Sequence, residues 1–222
     1  MNLASYIDHT FLKPNGTPAD IAKLCREAKR YAFASVCVHP CAVQRCAKLL
    51  KGSGVAVCTV IGFPLGQHTP TTILYEALEA VEHGATELDF VINVSELKAL
   101  VKRGDVEPLR ERWAFILEAV HGLKPGIVTK LIIECCYLTD AEKVAACRMA
   151  KAAGFDFVKT STGFGTGGAT VADVKLMRKA VGRKLGVKAA GGIRTKETAL
   201  AMIAAGATRL GSSAGCEIVG LA

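Results

Sequence analysis

The sequence predicts an α/β protein with a single-domain TIM (β/α)8 barrel, and three observations support this fold class. Short runs rich in Val, Ile and Phe alternate with helical runs along all 222 residues. Most of these runs lack strict polar–apolar alternation, as expected for parallel strands that are buried on both faces. Eight strand–helix units fit the length of a lean barrel, and no linker divides the chain, so one domain over residues 1–222 is expected. A doubly wound open sheet is the main structural alternative.

The strands are predicted from the apolar runs, of which the first and the seventh are the weakest. In chain order they are Tyr6–Asp8, Ser35–Val38, Val55–Val60, Glu87–Ile92, Val128–Glu134, Phe155–Lys159, Val187–Ala189 and Arg209–Gly211. In a barrel of this kind, the chemistry is expected at the carboxyl ends of the strands.

The helices between the strands are predicted from their capping signals. Helix starts with an N-cap threonine and an acidic residue three positions later occur at Thr17-Pro18-Ala19-Asp20, Thr139-Asp140-Ala141-Glu142 and Thr170-Val171-Ala172-Asp173. Several helices are predicted to end at a glycine that leads directly into a strand, as at Gly84, Gly154 and Gly206.

Composition excludes several classes of protein and leaves others open. Hydrophobic residues make up 50% and charged residues 22%, which excludes a disordered or collagen-like chain. The formal charge of +8 favours an anionic partner, which could be a phosphorylated metabolite, RNA or an anionic membrane. The longest apolar stretch, from Val55 to Leu65, is too short to span a membrane, and no signal peptide is expected. Nine cysteines without a CxxC pair indicate free thiols and a cytoplasmic location.

Four charged residues follow or interrupt apolar strands, where a charge is costly unless it is paired or useful. They are Asp8, Asp89, Lys159 and Lys188. A free lysine has a pKa near 10.4, so an amine that attacks a carbonyl at neutral pH needs help to lose its proton. A second lysine on the next strand can give that help by charge repulsion, while the aspartates move protons. The alternatives are a structural ion pair near the mouth of the barrel and a strand end that is simply solvated.

Small residues after the last two predicted strands indicate an anion site, because they expose backbone N–H groups. These residues are Gly191, Gly192, Gly211, Ser212 and Ser213. Tight turns without a ligand are the alternative. A G-x-G-x-x-G pattern at Gly163, Gly165 and Gly168 lacks the acidic residue that a dinucleotide site needs at the end of the next strand. No cofactor is therefore expected. No metal is expected either, because Cys37-Val38-His39-Pro40-Cys41 is interpreted as a strand end followed by a helix start rather than as a zinc site.

The sequence resembles the deoxyribose-phosphate aldolase family along nearly its whole length. The resemblance is found in the motifs Ile7-Asp8-His9-Thr10, Val36-Cys37-Val38, Val60-Ile61-Gly62-Phe63-Pro64, Glu87-x-Asp89, Lys130-x-Ile132-Ile133-Glu134, Lys159-Thr160-Ser161-Thr162-Gly163-Phe164 and Val187-Lys188-Ala189-Ala190-Gly191-Gly192-Ile193-Arg194. The resemblance implies a TIM barrel. It also implies a metal-independent class I aldolase that reversibly joins acetaldehyde to glyceraldehyde 3-phosphate to give 2-deoxyribose 5-phosphate.

The resemblance also implies roles for individual residues. Lys159 would form the Schiff base, Lys188 would activate it, and Asp89 would be the acid and base. Asp8 and Thr10 would support them, and the glycines and serines named above would hold the phosphate. Some members have a phosphate-binding lysine where this chain has Phe164, and a terminal tyrosine beyond the position of Ala222. Without them, backbone groups, Arg194 and water are expected to fill these roles.

The expected partners are a phosphorylated sugar and acetaldehyde, with no nucleic acid and no membrane, and a homo-oligomer is expected. Another phosphosugar aldolase or an isomerase on the same barrel is the nearest alternative function. A basic RNA-binding module is a remote alternative, supported by the net charge of +8 alone.

Overall fold

Eight parallel strands close into a barrel in the computed structural model, which describes residues 2–220. Each strand pairs with its neighbours in chain order, and the last pairs with the first. The strands are β1 (Ile7–Phe11), β2 (Ser35–Val38), β3 (Ala56–Ile61), β4 (Glu87–Val91), β5 (Val128–Ile132), β6 (Phe157–Lys159), β7 (Gly186–Ala190) and β8 (Arg209–Ser212). The predicted TIM barrel is confirmed, and the open sheet is wrong. The predicted domain limits at residues 1 and 222 lie outside the described residues.

Helices follow the strands and surround the barrel. Over residues 2–220 the α-helices are α1 (Pro18–Tyr31), α2 (Val43–Leu50), α3 (Pro70–Glu82), α4 (Val94–Arg103), α5 (Glu107–Leu123), α6 (Asp140–Ala153), α7 (Val171–Val181), α8 (Lys196–Ala204) and α9 (Gly215–Ile218). None of the helices in this described part is long and apolar enough to cross a membrane.

The predicted helix starts are confirmed at α1, α6 and α7. Thr17 and Thr139 each form a capping box with the acidic residue at N3, and Thr170 accepts a hydrogen bond from the backbone of Asp173. The last turn of α6 ends at Gly154 in the left-handed conformation, with φ 100°. These caps satisfy backbone groups that a helix end would otherwise leave unpaired.

The main hydrophobic core lies between the outer face of the barrel and the helices. Trp113 of α5 packs edge-on against Phe90 of β4 and Phe155, with ring centroids 5.5 Å from it in each case. A second, small apolar cluster is formed by Leu12, Cys37, Cys58 and Val60. The remainder of the barrel interior is therefore free to hold polar groups.

The observed strand limits confirm the predicted positions of Asp89, Lys159 and Lys188 relative to their strands. Asp8, Asp89 and Lys188 lie within β1, β4 and β7, whereas Lys159 is the last residue of β6. The strand around Asp8 differs from the prediction, because the predicted run ends at Asp8 whereas β1 continues to Phe11. The expected strand at Val128–Glu134 stops at Ile132, and Glu134 has a left-handed backbone conformation with φ 54°.

Candidate active site

The charged residues predicted from the sequence meet inside the barrel. Lys159 pairs in register with Lys188 across β6 and β7, and Asp89 pairs with Lys130 across β4 and β5. Alternate residues of a barrel strand point inward, so these side chains project into one interior space. Lys188 and Asp89 are fully buried, and Lys159 is 3% exposed. The proximity of the two lysines to a carboxylate is therefore set by strand register.

Asp89 is the centre of this arrangement. Its Oδ2 accepts hydrogen bonds from Lys159 Nζ at 2.8 Å and from Lys188 Nζ at 2.7 Å. Its Oδ1 lies 2.9 Å from Lys130 Nζ and accepts a hydrogen bond from Cys58 Sγ at 3.2 Å. Burial by itself would raise the pKa of Asp89, but the three ammonium groups hold that pKa well below its usual range. Asp89 is thus an anion that binds both lysines of the candidate site.

Lys188 is held as a cation by two aspartates. Its Nζ forms ion pairs with Asp8 Oδ2 and Asp89 Oδ2. Burial by itself would lower the pKa of Lys188, but the two carboxylates reverse this effect and raise it above the usual lysine range. Asp8 also accepts a hydrogen bond from Arg209 Nη1 at 2.7 Å. Lys188 therefore presents a lasting positive charge beside Lys159, as an electrostatic activator requires.

Lys130 belongs to this network and was missed as a site residue. Its Nζ lies 2.5 Å from Glu87 Oε2, in addition to the contact with Asp89. Lys130 and Glu134 lie on one predicted strand, Val128–Glu134, and a shared strand face would let them form a buried pair. The structure does not pair them. The strand ends before Glu134, whose carboxylate binds Thr162 instead. The signal that could have identified Lys130 is the same as for Lys188, since both lysines interrupt an apolar strand.

A cavity of about 630 Å³ opens above Lys159 at the mouth of the barrel. Thr10 lies in its wall, and the Thr10 hydroxyl donates to the backbone oxygen of Asp8 at 2.8 Å. All five residues predicted for the phosphate also line this cavity, namely Gly191, Gly192, Gly211, Ser212 and Ser213. The structure thus places the candidate nucleophile and the candidate anion site in one cavity.

The five residues predicted to bind phosphate differ in the space and the hydrogen-bond donors that they present to the cavity. A Cβ at Gly192 would meet no atom within 4 Å, so this position faces open space, and its φ is +80°. The Ser212 hydroxyl donates to Ile193 O at 2.6 Å, which commits its proton within the protein. A Cβ at Gly211 would lie 3.2 Å from Lys188 Cε, so this glycine leaves room for the lysine. Backbone groups and Ser213, which is exposed, remain available for an anion.

Three clusters of ligand-type side chains occur within the described residues. They are His9 with Glu27 and Cys216, Cys37 with Cys58 and Asp89, and Asp8 with Cys58 and Glu87. In the two interior clusters the carboxylates already face lysine or arginine, which opposes the binding of a further cation. His9 Nε2 lies 2.8 Å from Glu27 Oε2, as an ordinary polar pair would. The absence of a metal requirement stays a prediction.

A TIM barrel with three interior lysines on one carboxylate, below a cavity, has the architecture of an enzyme, and the family model places it in the aldolase class. The model of the DeoC/LacD family aldolases matches residues 2–221 of the chain. The chain therefore belongs to the DeoC/LacD aldolase family.

Individual relatives agree with this family. The deoxyribose-phosphate aldolase of Thermoanaerobacter sp. (strain X514) is 58% identical over 99% of this chain and 96% of its own length. The enzyme of the same name from Bacillus subtilis (strain 168) is 57% identical over 99% of this chain and 95% of its own. The solved tetrameric deoxyribose phosphate aldolase from Aeropyrum pernix superposes with a TM-score of 0.89 at 34% identity, covering 98% of this chain and 89% of its own.

Proposed function

We propose that the protein reversibly cleaves 2-deoxyribose 5-phosphate into glyceraldehyde 3-phosphate and acetaldehyde through a Schiff base on Lys159. The observation that carries the proposal is the shared contact of Lys159 and Lys188 with Asp89 Oδ2, at 2.8 and 2.7 Å. The names and high identity of the relatives support the same substrate. A purely structural ion pair would not need a cavity above one of the lysines.

The proposed reaction begins with the neutral amine of Lys159, which adds to the C1 aldehyde of the open-chain sugar. Loss of water gives a protonated imine, which is an electron sink. Removal of the C3 hydroxyl proton, by Asp89 or by water held near it, forms the aldehyde of glyceraldehyde 3-phosphate as the C2–C3 bond breaks. The electron pair of that bond forms an enamine. Protonation of the enamine at C2 and hydrolysis of the imine release acetaldehyde and free Lys159.

Lys188 and Asp8 have supporting roles in this proposal. Lys188, which two aspartates hold as a cation, is proposed as the electrostatic activator of the Lys159 amine. Asp8 holds Lys188 in place through their ion pair, and Thr10 is fixed beside it. At the other end of the sugar, Gly191, Gly192, Gly211, Ser212 and Ser213 would receive the phosphate, mainly through backbone N–H groups.

We expect a homo-oligomer and a cytoplasmic location, with no nucleic-acid partner. No cofactor and no metal are expected, because the imine itself serves as the electron sink. The RNA-binding alternative gives no reason for two buried lysines around one aspartate.

Trapping of the imine tests the proposal. Incubation with acetaldehyde and borohydride should leave an ethyl group on Lys159, to be mapped by mass spectrometry, and a Lys159→Leu variant should not be labelled. Labelling of Lys188 or of surface lysines alone would reverse the assignment. Product analysis with 2-deoxyribose 5-phosphate separates the aldolase from an isomerase, since only the aldolase releases acetaldehyde.

A further inference from the structure

We propose that Glu134 is a positioning residue that holds the β6–α7 loop against the β7–α8 loop and so shapes the phosphate end of the cavity. This inference rests on the proposed function, because it concerns how the same cavity binds its phosphorylated substrate. Glu134 itself does not line the cavity, and the residues that it holds do.

The backbone of Glu134 is in a conformation that is costly for its residue type. With φ 54° and ψ 68° it is left-handed, a region in which a side chain costs about 1–2 kcal/mol. A glycine would adopt the same conformation without this cost. The side chain is also buried, with 4% of the residue exposed, and no ion pair reaches it within residues 2–220. A strained, buried carboxylate without a cation is retained at the expense of stability, which is typical of a functional site.

The carboxylate of Glu134 is used entirely on one residue of the β6–α7 loop. Its Oε1 accepts from the Thr162 backbone N–H at 3.2 Å, and its Oε2 accepts from the Thr162 hydroxyl. The same hydroxyl oxygen accepts from Phe164 N at 3.0 Å. Glu134 thus fixes three consecutive residues, Thr162 to Phe164, all of which line the cavity with Lys159.

The loop held by Glu134 lies directly against the candidate phosphate loop. A Cβ on Gly191 would lie 3.0 Å from Gly168 Cα and 3.6 Å from Gly163 Cα, so the two loops approach closely. Ala169 N donates to Gly191 O at 3.0 Å and so joins them. A shift of the β6–α7 loop would therefore move Gly191, and displacement of binding groups by about 1 Å can cost up to about 100-fold in rate.

Two single variants remove the contact from opposite sides. Glu134→Gly keeps the left-handed backbone and deletes the carboxylate, whereas Thr162→Val deletes the hydroxyl with little change of shape. For each we expect kcat/KM with 2-deoxyribose 5-phosphate to fall about tenfold, mainly through KM. The reaction of plain 2-deoxyribose should change less than about threefold, because it has no phosphate to place. Thr162→Ser keeps the hydroxyl and should retain most of the wild-type kcat/KM. The double variant Glu134→Gly/Thr162→Val should lose less kcat/KM than the product of the two single losses.

The control is Thr86→Val, which deletes a threonine hydroxyl that bonds Val57 N at 3.0 Å at the opposite end of the barrel strands. This variant should keep wild-type kinetics. Equal losses for both sugars, or an unchanged KM for the phosphorylated sugar, would overturn the role of Glu134. Borohydride trapping on wild-type protein separates the two proposals: absence of an imine refutes the proposed function, whereas an imine with unaltered variant kinetics refutes the inference about Glu134.

Discussion

Asp89 is the residue on which Lys130, Lys159 and Lys188 converge, and its two oxygens contact different lysines. Oδ2 faces the two lysines assigned to the reaction, whereas Oδ1 faces Lys130. Because each oxygen has its own partners, the carboxylate is fixed in rotation as well as in position. In the proposed mechanism, an anion fixed beside Lys159 and Lys188 would accept or return a proton without a large movement of its side chain.

Replacement of Lys188 by leucine tests its role as an activating charge. Without this cation the amine of Lys159 loses its proposed electrostatic activator, so we expect a large loss of kcat near neutral pH and partial recovery as the pH rises. The measurement is the pH–rate profile with 2-deoxyribose 5-phosphate. Lys184→Leu, at an exposed lysine just before β7, is the control and should keep the wild-type profile. A profile that falls in height without moving along the pH axis would show that Lys188 does not act through its charge.

Lys130→Met should destabilise the fold far more than Lys98→Met. Lys130 is fully buried between Glu87 and Asp89, and its loss leaves two buried carboxylates with less counter-charge, at a cost of about 3–5 kcal/mol. The side chain of Lys98 is 41% exposed and pairs with Glu142, so its loss should cost no more than about 1 kcal/mol. Urea unfolding followed by circular dichroism measures both. Similar costs for the two variants would contradict the assignment of Lys130 to the charged interior.

The barrel and its helix starts were predicted well from the sequence, because both depend on local signals. Thr17 and Thr139 are recognisable as caps from neighbouring residues alone. The interior contacts were predicted less fully, since they depend on strand register. Nothing near Lys130 in the sequence shows that it meets Asp89, which lies on another strand. The interaction between Glu134 and Thr162 was likewise hidden, because it depends on a left-handed residue after β5.

The β7–α8 loop offers a matched test of the phosphate site. Gly192 and Gly54 have φ of +80° and +79°, and a Cβ would meet no atom within 4 Å at either position. Valine should therefore strain both backbones alike, by about 1–2 kcal/mol. Only Gly192 lines the cavity, so Gly192→Val should raise KM for 2-deoxyribose 5-phosphate strongly and spare plain 2-deoxyribose. The measurement is kcat/KM for both sugars in Gly192→Val and Gly54→Val. A uniform loss for both sugars in Gly192→Val would assign this loop to the fold instead.

The interior of this barrel carries charge where many barrels carry packed apolar layers. Asp8, Asp89, Lys130, Lys188 and Arg209 form one connected set of ion pairs. The cost of burying each charge is offset by partners on neighbouring strands, so the network joins β1, β4, β5, β7 and β8 across the interior. All nine cysteines are free, as expected, and contribute no covalent link.

The stability of the protein should fall steeply in acid. The folded state lowers the pKa of Asp8 and Asp89, so their contribution is complete above the unfolded aspartate pKa of about 3.9 and is lost as the pH falls below it. We expect the free energy of unfolding in urea to decline below about pH 4, and to decline less steeply in Asp8→Asn. Added salt should change this dependence little, because buried pairs are poorly screened. If the free energy of unfolding falls equally steeply with pH in the variant and the wild type, Asp8 is not part of the acid transition.

The pairing of β1 with β8 has a consequence for how the chain is made. Asp8 and Arg209, which form an ion pair, are 201 positions apart. During synthesis from the amino terminus, one edge of β1 stays unpaired until β8 has left the ribosome. Contacts so distant along the chain form slowly, and exposed strand edges invite association with other nascent chains. Asp8 also forms an ion pair with Lys188. The interior ion pairs are therefore complete only when β1 and β8 pair and the barrel closes.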